Sequence, residues 1–164
     1  MTVDVAAITA EVRGILAQAD AEIARRRPVC QASGRCCRFE EYGHRMYVTA
    51  AEVVHFSQVA GARPDERAGE PAGGKSVSLP LFFAGKAEGC PYQVEGLCTA
   101  REARPLGCRV YFCDENAQAW QNELYEMFHQ KLKAVHERHG LPYAYLEWRA
   151  ALKGMMEAEA GTGR

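Results

Sequence analysis

Apolar side chains near the start of the chain recur at steps of three and four positions, which is the spacing of an amphipathic α-helix. The pattern begins at Val5 and continues to Ile23. Three arginines follow it, where positive charge suits the C-terminal end of the helix dipole, and Pro28 marks the stop. The pattern therefore predicts an N-terminal helix with one face on the core. Its apolar positions are Val5, Ile8, Val12, Ile15, Leu16, Ala19 and Ile23.

Two more helices are predicted near the C-terminus. The first has Asp114 as a suitable N-cap and ends at Gly140, a residue type that commonly terminates helices. The second has Pro142 in its first turn, where a missing backbone N–H is tolerated. Each carries its apolar residues on one side, so we expect both helices to pack on the core. These residues are Trp120, Leu124, Met127, Phe128, Leu132 and Val135 in the first helix, and Tyr145, Trp148, Leu152, Met155 and Met156 in the second.

The middle of the chain has weaker regular patterns. Met46–Val48 is predicted as a short strand, and Thr49 and Glu52 then have the spacing of a capping box that opens a short helix. Residues 61–75 are rich in Gly, Pro and charge, which predicts a long loop. Residues 76–83 could be extended, although their proline favours an edge strand or a bend.

Composition narrows the class of protein. The 164 residues are 48% hydrophobic and 25% charged with a net charge of -1, which fits one domain with its own core. Neither sign of charge dominates, so no nucleic-acid partner is expected. No stretch approaches the roughly 20 apolar residues of a membrane span, and the start lacks the features of a secretion signal. We therefore expect a cytoplasmic protein that does not associate with membranes.

The seven cysteines form two groups in stretches that Gly and Pro interrupt. Cysteines that only fill a core are usually placed singly within helices or strands. Cytoplasmic thiols stay reduced, so a dense set of them indicates a metal or redox site more often than disulfides. All seven are therefore candidate metal ligands. The early group is Cys30, Cys36 and Cys37, and the late group is Cys90, Cys98, Cys108 and Cys113.

Arginines near both cysteine groups support thiolate chemistry. Arg38, Arg104 and Arg109 stand beside or between the cysteines, with Arg101 nearby. Their positive charges would favour deprotonated sulfur and offset the negative charge of several thiolates. We expect them to surround the metal site without binding the metal.

Cysteine spacing bears on the identity of the metal. Structural zinc sites commonly use pairs separated by two to four residues, and only Cys108 and Cys113 have that spacing. Iron-sulfur clusters accept wider and less regular spacing, so an iron-sulfur cluster is the first choice. Zinc, mononuclear iron and metal-free thiol redox chemistry are the alternatives. Cys36 and Cys37 are adjacent, and extended backbone would turn their side chains apart, so one metal ion is not expected to take both. His44 is a possible additional ligand.

The whole cysteine pattern resembles the YkgJ-like cysteine-cluster family, which is described as zinc- or iron-chelating. The resemblance covers residues 30–114 and includes every cysteine. It implies that the Arg-Pro and Cys-Arg pairs of residues 104–109 belong to the metal site. Ser33 stands where the family usually has a second cysteine, and seven sulfurs suit one cluster better than two all-cysteine sites. The matching residues are Cys30, Cys36, Cys37, Cys90, Pro91, Tyr92, Cys98, Arg104, Pro105, Leu106, Gly107, Cys108, Arg109, Cys113 and Asp114.

These observations predict a mainly α protein, a single helical domain of residues 1–164 with an irregular, cysteine-rich metal-binding central region. The metal-binding region is expected at 28–114 and a C-terminal helical region at 115–158. The expected function is an iron-sulfur protein acting in redox chemistry, sensing or metal handling. A zinc-binding structural or interaction module and an iron-dependent enzyme with an open cluster site are the alternatives. No phosphate-binding loop or hydrolase motif is present, so catalysis is left open.

Overall fold

The computed structural model describes residues 3–29, 34–60, 89–113 and 115–162, and this part of the chain is mainly helical, as expected. Two short 3₁₀ turns, Arg35–Cys37 and Glu115–Ala117, accompany the helices and strands. The helices are α1 Val5–Arg26, α2 Phe39–Tyr42, α3 Ala50–Ala60, α4 Leu106–Val110, α5 Gln118–His139 and α6 Trp148–Thr162. The strands are β1 Tyr47–Thr49, β2 Gln93–Val94, β3 Leu97–Cys98 and β4 Tyr145–Glu147.

Helix α1 begins and ends where its local sequence predicts. The carboxylate of Asp4 accepts a 3.0 Å hydrogen bond from the backbone N–H of Ala7, which caps the first turn. At the other end Arg27 takes a left-handed conformation with φ 47° and donates its backbone N–H to the carbonyl of Ile23. The predicted apolar face of α1 is buried from Ile8 to Ala19 against α3, α4 and α5, whereas Val5 is 39% exposed.

Helix α3 begins with the predicted capping box. One carboxylate oxygen of Glu52 accepts the backbone N–H of Thr49 at 2.7 Å and its hydroxyl at 2.9 Å. In return the Thr49 hydroxyl accepts the backbone N–H of Glu52 at 3.3 Å. The other Glu52 oxygen accepts the backbone N–H of Leu106 at 2.8 Å, at the start of α4. A single buried carboxylate therefore joins two helices, and its burial raises the pKa of Glu52.

Helix α5 ends at Gly140 as predicted, with that residue at φ 60°. It begins at Gln118, directly after a 3₁₀ turn, with Ala117 as its N-cap, so the prediction of Asp114 as the N-cap was wrong. Asp114 itself lies outside the described residues. His136, on this helix, is buried and accepts the backbone N–H of Ala51 at 3.3 Å, which caps α3 from a distant element. The predictions for residues 61–83 also lie outside the described residues.

The last helix begins later than predicted. Residues 145–147 form β4, which pairs antiparallel with β1 and places Tyr145 opposite Thr49. Helix α6 therefore starts at Trp148, whose backbone N–H donates to the carbonyl of Met46 at 2.8 Å. Pro142 lies in the irregular segment before the strand, so the prediction of a helix starting there was wrong. The cause is a non-local ladder of hydrogen bonds that periodicity within one segment does not reveal.

Two apolar clusters form the interior of the described structure. The larger one lies between α1, α3, α4 and α5. The smaller one contains Phe56, Tyr92, Trp148 and Leu152, and three cysteines pack against it. None of the described helices combines the length and the apolar character that crossing a membrane requires.

Candidate metal centre

The early cysteine pair lies on a tight turn. Gly34, at φ 70°, leads into the 3₁₀ turn Arg35–Cys37, and the backbone N–H of Cys37 donates to the carbonyl of Gly34 at 3.1 Å. Because this backbone is helical, the sulfurs of Cys36 and Cys37 lie 3.8 Å apart. The expectation that these two side chains diverge was therefore wrong, since it assumed extended backbone.

A short β-hairpin presents part of the late group. Strands β2 and β3 pair antiparallel, and the turn between them contains Glu95 at φ 50° and Gly96 at φ 81°. Cys98 lies on β3, directly opposite Gln93. Cys90 precedes the hairpin and accepts the backbone N–H of Gln93 at 3.0 Å through its carbonyl. The hairpin therefore holds Cys90 and Cys98 near each other.

The early turn is docked on the segment before this hairpin. The backbone N–H of Cys90 donates to the carbonyl of Cys37 at 2.9 Å, and the Gln93 side chain donates to the carbonyl of Gly34 at 2.9 Å. Gly89, at φ 104°, makes this approach possible, because a Cβ there would lie 2.8 Å from the carbonyl oxygen of Cys37. The backbone itself brings the two cysteine groups together.

Three thiols meet at this junction. Cys37 lies between Cys36 and Cys90, and hydrogen bonds to both of them raise the pKa of Cys37. The same bonds lower the pKa of Cys36 and of Cys90. The hydrogen bonds of this trio therefore favour deprotonation of Cys36 and Cys90 over deprotonation of Cys37.

Two half-buried thiols, Cys98 and Cys108, complete the set. Burial raises the pKa of Cys98 and, more strongly, of Cys108, and both side chains lie within electrostatic range of Cys36 and Cys90. Cys108 is carried on α4, whose first backbone N–H is held by Glu52. We call the side chains of these five residues the thiol cluster. Its members are Cys36, Cys37, Cys90, Cys98 and Cys108.

Aromatic side chains lie beside the thiol cluster. The Trp148 side chain donates a hydrogen bond to Cys90, which helps to lower the pKa of that thiol. The indole is buried and makes an edge contact with Phe56 at 4.8 Å between ring centroids, and Phe56 makes a similar contact with Tyr92. The sequence marked Trp148 only as a core position, because nothing in a helical stripe indicates a contact with a distant cysteine.

The two remaining cysteines are placed differently. Cys113 is half-buried beyond α4 and acts electrostatically on Tyr111, a side chain that Cys36 also influences. This puts Cys113 at the margin of the thiol cluster. Cys30 lies outside the described residues.

The predicted arginines have three different environments. Arg104 acts electrostatically on Cys36, Cys98 and Cys108, and Arg101 acts on Cys36. Arg109 is buried, pairs with Asp20 and donates to the carbonyls of Arg104 at 2.6 Å and Glu102 at 2.5 Å.

Arg38 is exposed and forms an ion pair with Glu41 at 3.3 Å. Of the predicted arginines, Arg104 supplies positive charge to the thiols. Arg109 instead holds the backbone next to Cys108 through its hydrogen bonds to two carbonyls.

The histidine that the sequence singled out lies beside the site. The ring of His44 stacks on Tyr111, with centroids 5.3 Å apart and planes inclined by 12°. It lines a pocket that also contains Gly107, the residue before Cys108.

The donor chemistry of the thiol cluster suits a soft metal or an iron-sulfur centre, since several sulfurs converge beside cationic arginines. Within the described residues no set of three or more Cys, His, Asp or Glu side chains is already arranged to hold a metal ion. The described arrangement is therefore a group of neighbouring thiols and not a formed metal site.

Comparison of this chain with protein-family models, with curated proteins and with solved structures finds no match in any of the three.

Proposed function

We propose that this protein binds a metal centre through sulfurs of both cysteine groups, and that the centre is an iron-sulfur cluster. The observation that carries the proposal is the contact between Cys37 and Cys90, where thiols from two separate stretches of the chain meet. A metal centre at this junction would connect the two stretches and stabilise the folded state.

The protonation of the thiols supports metal binding. Metal ions bind thiolates, and the two thiols with lowered pKa, Cys36 and Cys90, lie on either side of Cys37. Cys98 and Cys108 would lose their protons on binding, so metal affinity should rise with pH. Arg104 would offset part of the resulting negative charge.

Iron-sulfur chemistry is favoured over zinc by the number and spacing of the sulfurs. Adjacent Cys36 and Cys37 could bind different irons of one cluster, whereas a single tetrahedral zinc has no need of five neighbouring thiols. The resemblance to the YkgJ-like family points to the same zinc or iron chemistry. The role would be redox chemistry, sensing or metal handling.

Elemental analysis of protein purified without oxygen tests this proposal. We expect a brown protein that contains iron and acid-labile sulfide. Cys108→Ser should lose most of the iron, because it removes one of the five sulfurs of the thiol cluster. Ala103→Ser is the matched control: it places a hydroxyl at a buried position of the same apolar cluster, removes no sulfur, and should keep its iron.

Three results would contradict the proposal as stated. A colourless protein with stoichiometric zinc would favour the zinc-binding module. Protein that carries no metal and cannot be reconstituted with iron and sulfide would favour metal-free thiol redox chemistry instead. Full iron retention in Cys108→Ser would remove Cys108 from the ligand set.

A further inference from the structure

A pocket of about 300 Å³ lies between the segment before β1, helices α4 and α5, and strand β4. It is formed by elements that also position Cys108, because Gly107 lines it and packs directly against Met46. None of the five cysteines of the thiol cluster lines it. The lining residues are His44, Arg45, Met46, Tyr47, Gly107, Val110, Tyr111, Gln121, Asn122, Tyr125 and Tyr145.

Flat ring faces dominate this pocket. Tyr47 stacks on Tyr145 with centroids 5.3 Å apart and planes inclined by 19°, and His44 stacks on Tyr111. The hydroxyls of Tyr145 and Tyr125 are hydrogen-bonded to each other at 2.8 Å, which fixes the orientation of the first stack. Tyr47 is 37% exposed and Tyr145 is 45% exposed, so each residue keeps surface outside the stack that a ligand can contact. Such surfaces favour a planar apolar group.

The charge of the pocket is one-sided. Among the described residues that line it, Arg45 is the single permanently charged side chain, and none is a carboxylate. A guanidinium presents parallel N–H groups that match the two oxygens of a carboxylate. The Asn122 amide can add a further donor. The pocket is therefore complementary to an anion that carries a ring.

The volume limits the size of the ligand. At about 300 Å³ the pocket is at the small end of the range for ligand sites, which suits an acid with one or two fused rings. A nucleotide is larger than this pocket, so its sugar and phosphates would extend beyond the lining residues.

We propose that this pocket binds a small aromatic carboxylate, with its ring packed on the exposed surface of the Tyr47–Tyr145 stack and its carboxylate on Arg45. The site is separate from the thiol cluster, so this proposal does not depend on metal binding. Because Gly107 lines the pocket and directly precedes Cys108, a ligand there would lie next to the helix that carries this thiol.

Calorimetric titration of the full chain with 2-naphthoate, and with the neutral isostere 2-naphthamide, tests the proposal. We expect saturable binding of one naphthoate per chain and binding of the amide about tenfold weaker, because the amide lacks the charge that Arg45 recognises. Arg45→Gln should reduce naphthoate affinity by about tenfold and leave amide affinity unchanged. The control Arg25→Gln removes an exposed cation outside the pocket and should change neither affinity.

A second variant tests the ring contacts. Tyr145→Ala should weaken both ligands, and its helical circular dichroism should match that of the parent, because Tyr145 is half exposed. The proposal is overturned if naphthoate does not saturate, if acid and amide bind equally, or if Arg45→Gln binds naphthoate like the parent. The titration is repeated after treatment with a metal chelator. We expect the same naphthoate affinity, which shows that ligand binding does not depend on a metal centre.

Discussion

His55 shows how one buried side chain couples stability to pH. It is 2% exposed, and it donates a hydrogen bond to the backbone carbonyl of Thr9. Within the described part of the chain, its Nδ1 has no hydrogen-bond partner. Burial lowers the pKa of His55, and the charges of Arg109 and Arg13 lower it further. His55 lines a surface pocket together with two acidic residues, Asp20 and Glu102.

This environment predicts a loss of stability in mild acid. A histidine whose pKa is lower in the folded state binds protons preferentially in the unfolded state. Its contribution is present above its ordinary pKa of about 6.5 and is lost as pH falls toward the lowered value. Urea unfolding of the parent should therefore show lower stability at about pH 5.5 than at about pH 7.5.

His55→Gln keeps a donor that can reach the carbonyl of Thr9 and removes the titrating ring. Its stability should change less over the same pH range than that of the parent, and the difference between the two proteins excludes the effect of the thiols. An identical pH dependence in both would show that His55 does not titrate as described.

At the scale of elements, Glu52 joins three parts of the structure: strand β1, helix α3 and helix α4. It does so because a carboxylate accepts hydrogen bonds on both oxygens, one toward Thr49 and the other toward Leu106. Since α4 carries Cys108, the capping box of one helix also sets the position of a thiol on another. Local spacing predicted the capping box, but it held no signal for the contact with Leu106.

Glu52→Gln should destabilise the fold by about 1–3 kcal/mol, because an amide accepts on one oxygen only and leaves one buried N–H unpaired. Urea unfolding measures this loss. The control Glu41→Gln alters an exposed carboxylate in a surface ion pair and should stay within about 0.5 kcal/mol of the parent. Equal stability of Glu52→Gln and the parent would contradict the role given to Glu52.

The elements that local patterns predicted correctly are those whose ends are decided by neighbouring residues. Helix α1 ends before Pro28 and α5 ends at Gly140 for such local reasons. The start of α6 was missed because residues 145–147 extend to pair with β1, a partner far away in the chain. Sequence periodicity indicates which face of a helix or strand is apolar. Pairing between distant segments can still change which type of element forms.

At the scale of the whole molecule, the sequence showed two groups of cysteines but not how their sulfurs meet. The contact of Cys37 with Cys90 depends on backbone hydrogen bonds between two loops and on Gly89. The role of Trp148 beside Cys90 and the tyrosine-lined pocket depend on packing between elements. Such relations arise only once the helices are assembled, so a single sequence does not display them.

The central claim is that sulfurs from both cysteine groups share one metal centre. X-ray absorption at the iron edge of the anaerobically isolated protein, recorded for the parent, Cys37→Ser and Cys90→Ser, tests it most directly. We expect a sulfur-dominated first shell with iron neighbours in the parent, and loss of iron or of sulfur ligands in both variants. A first shell of oxygen and nitrogen, or an unchanged spectrum in both variants, would contradict it.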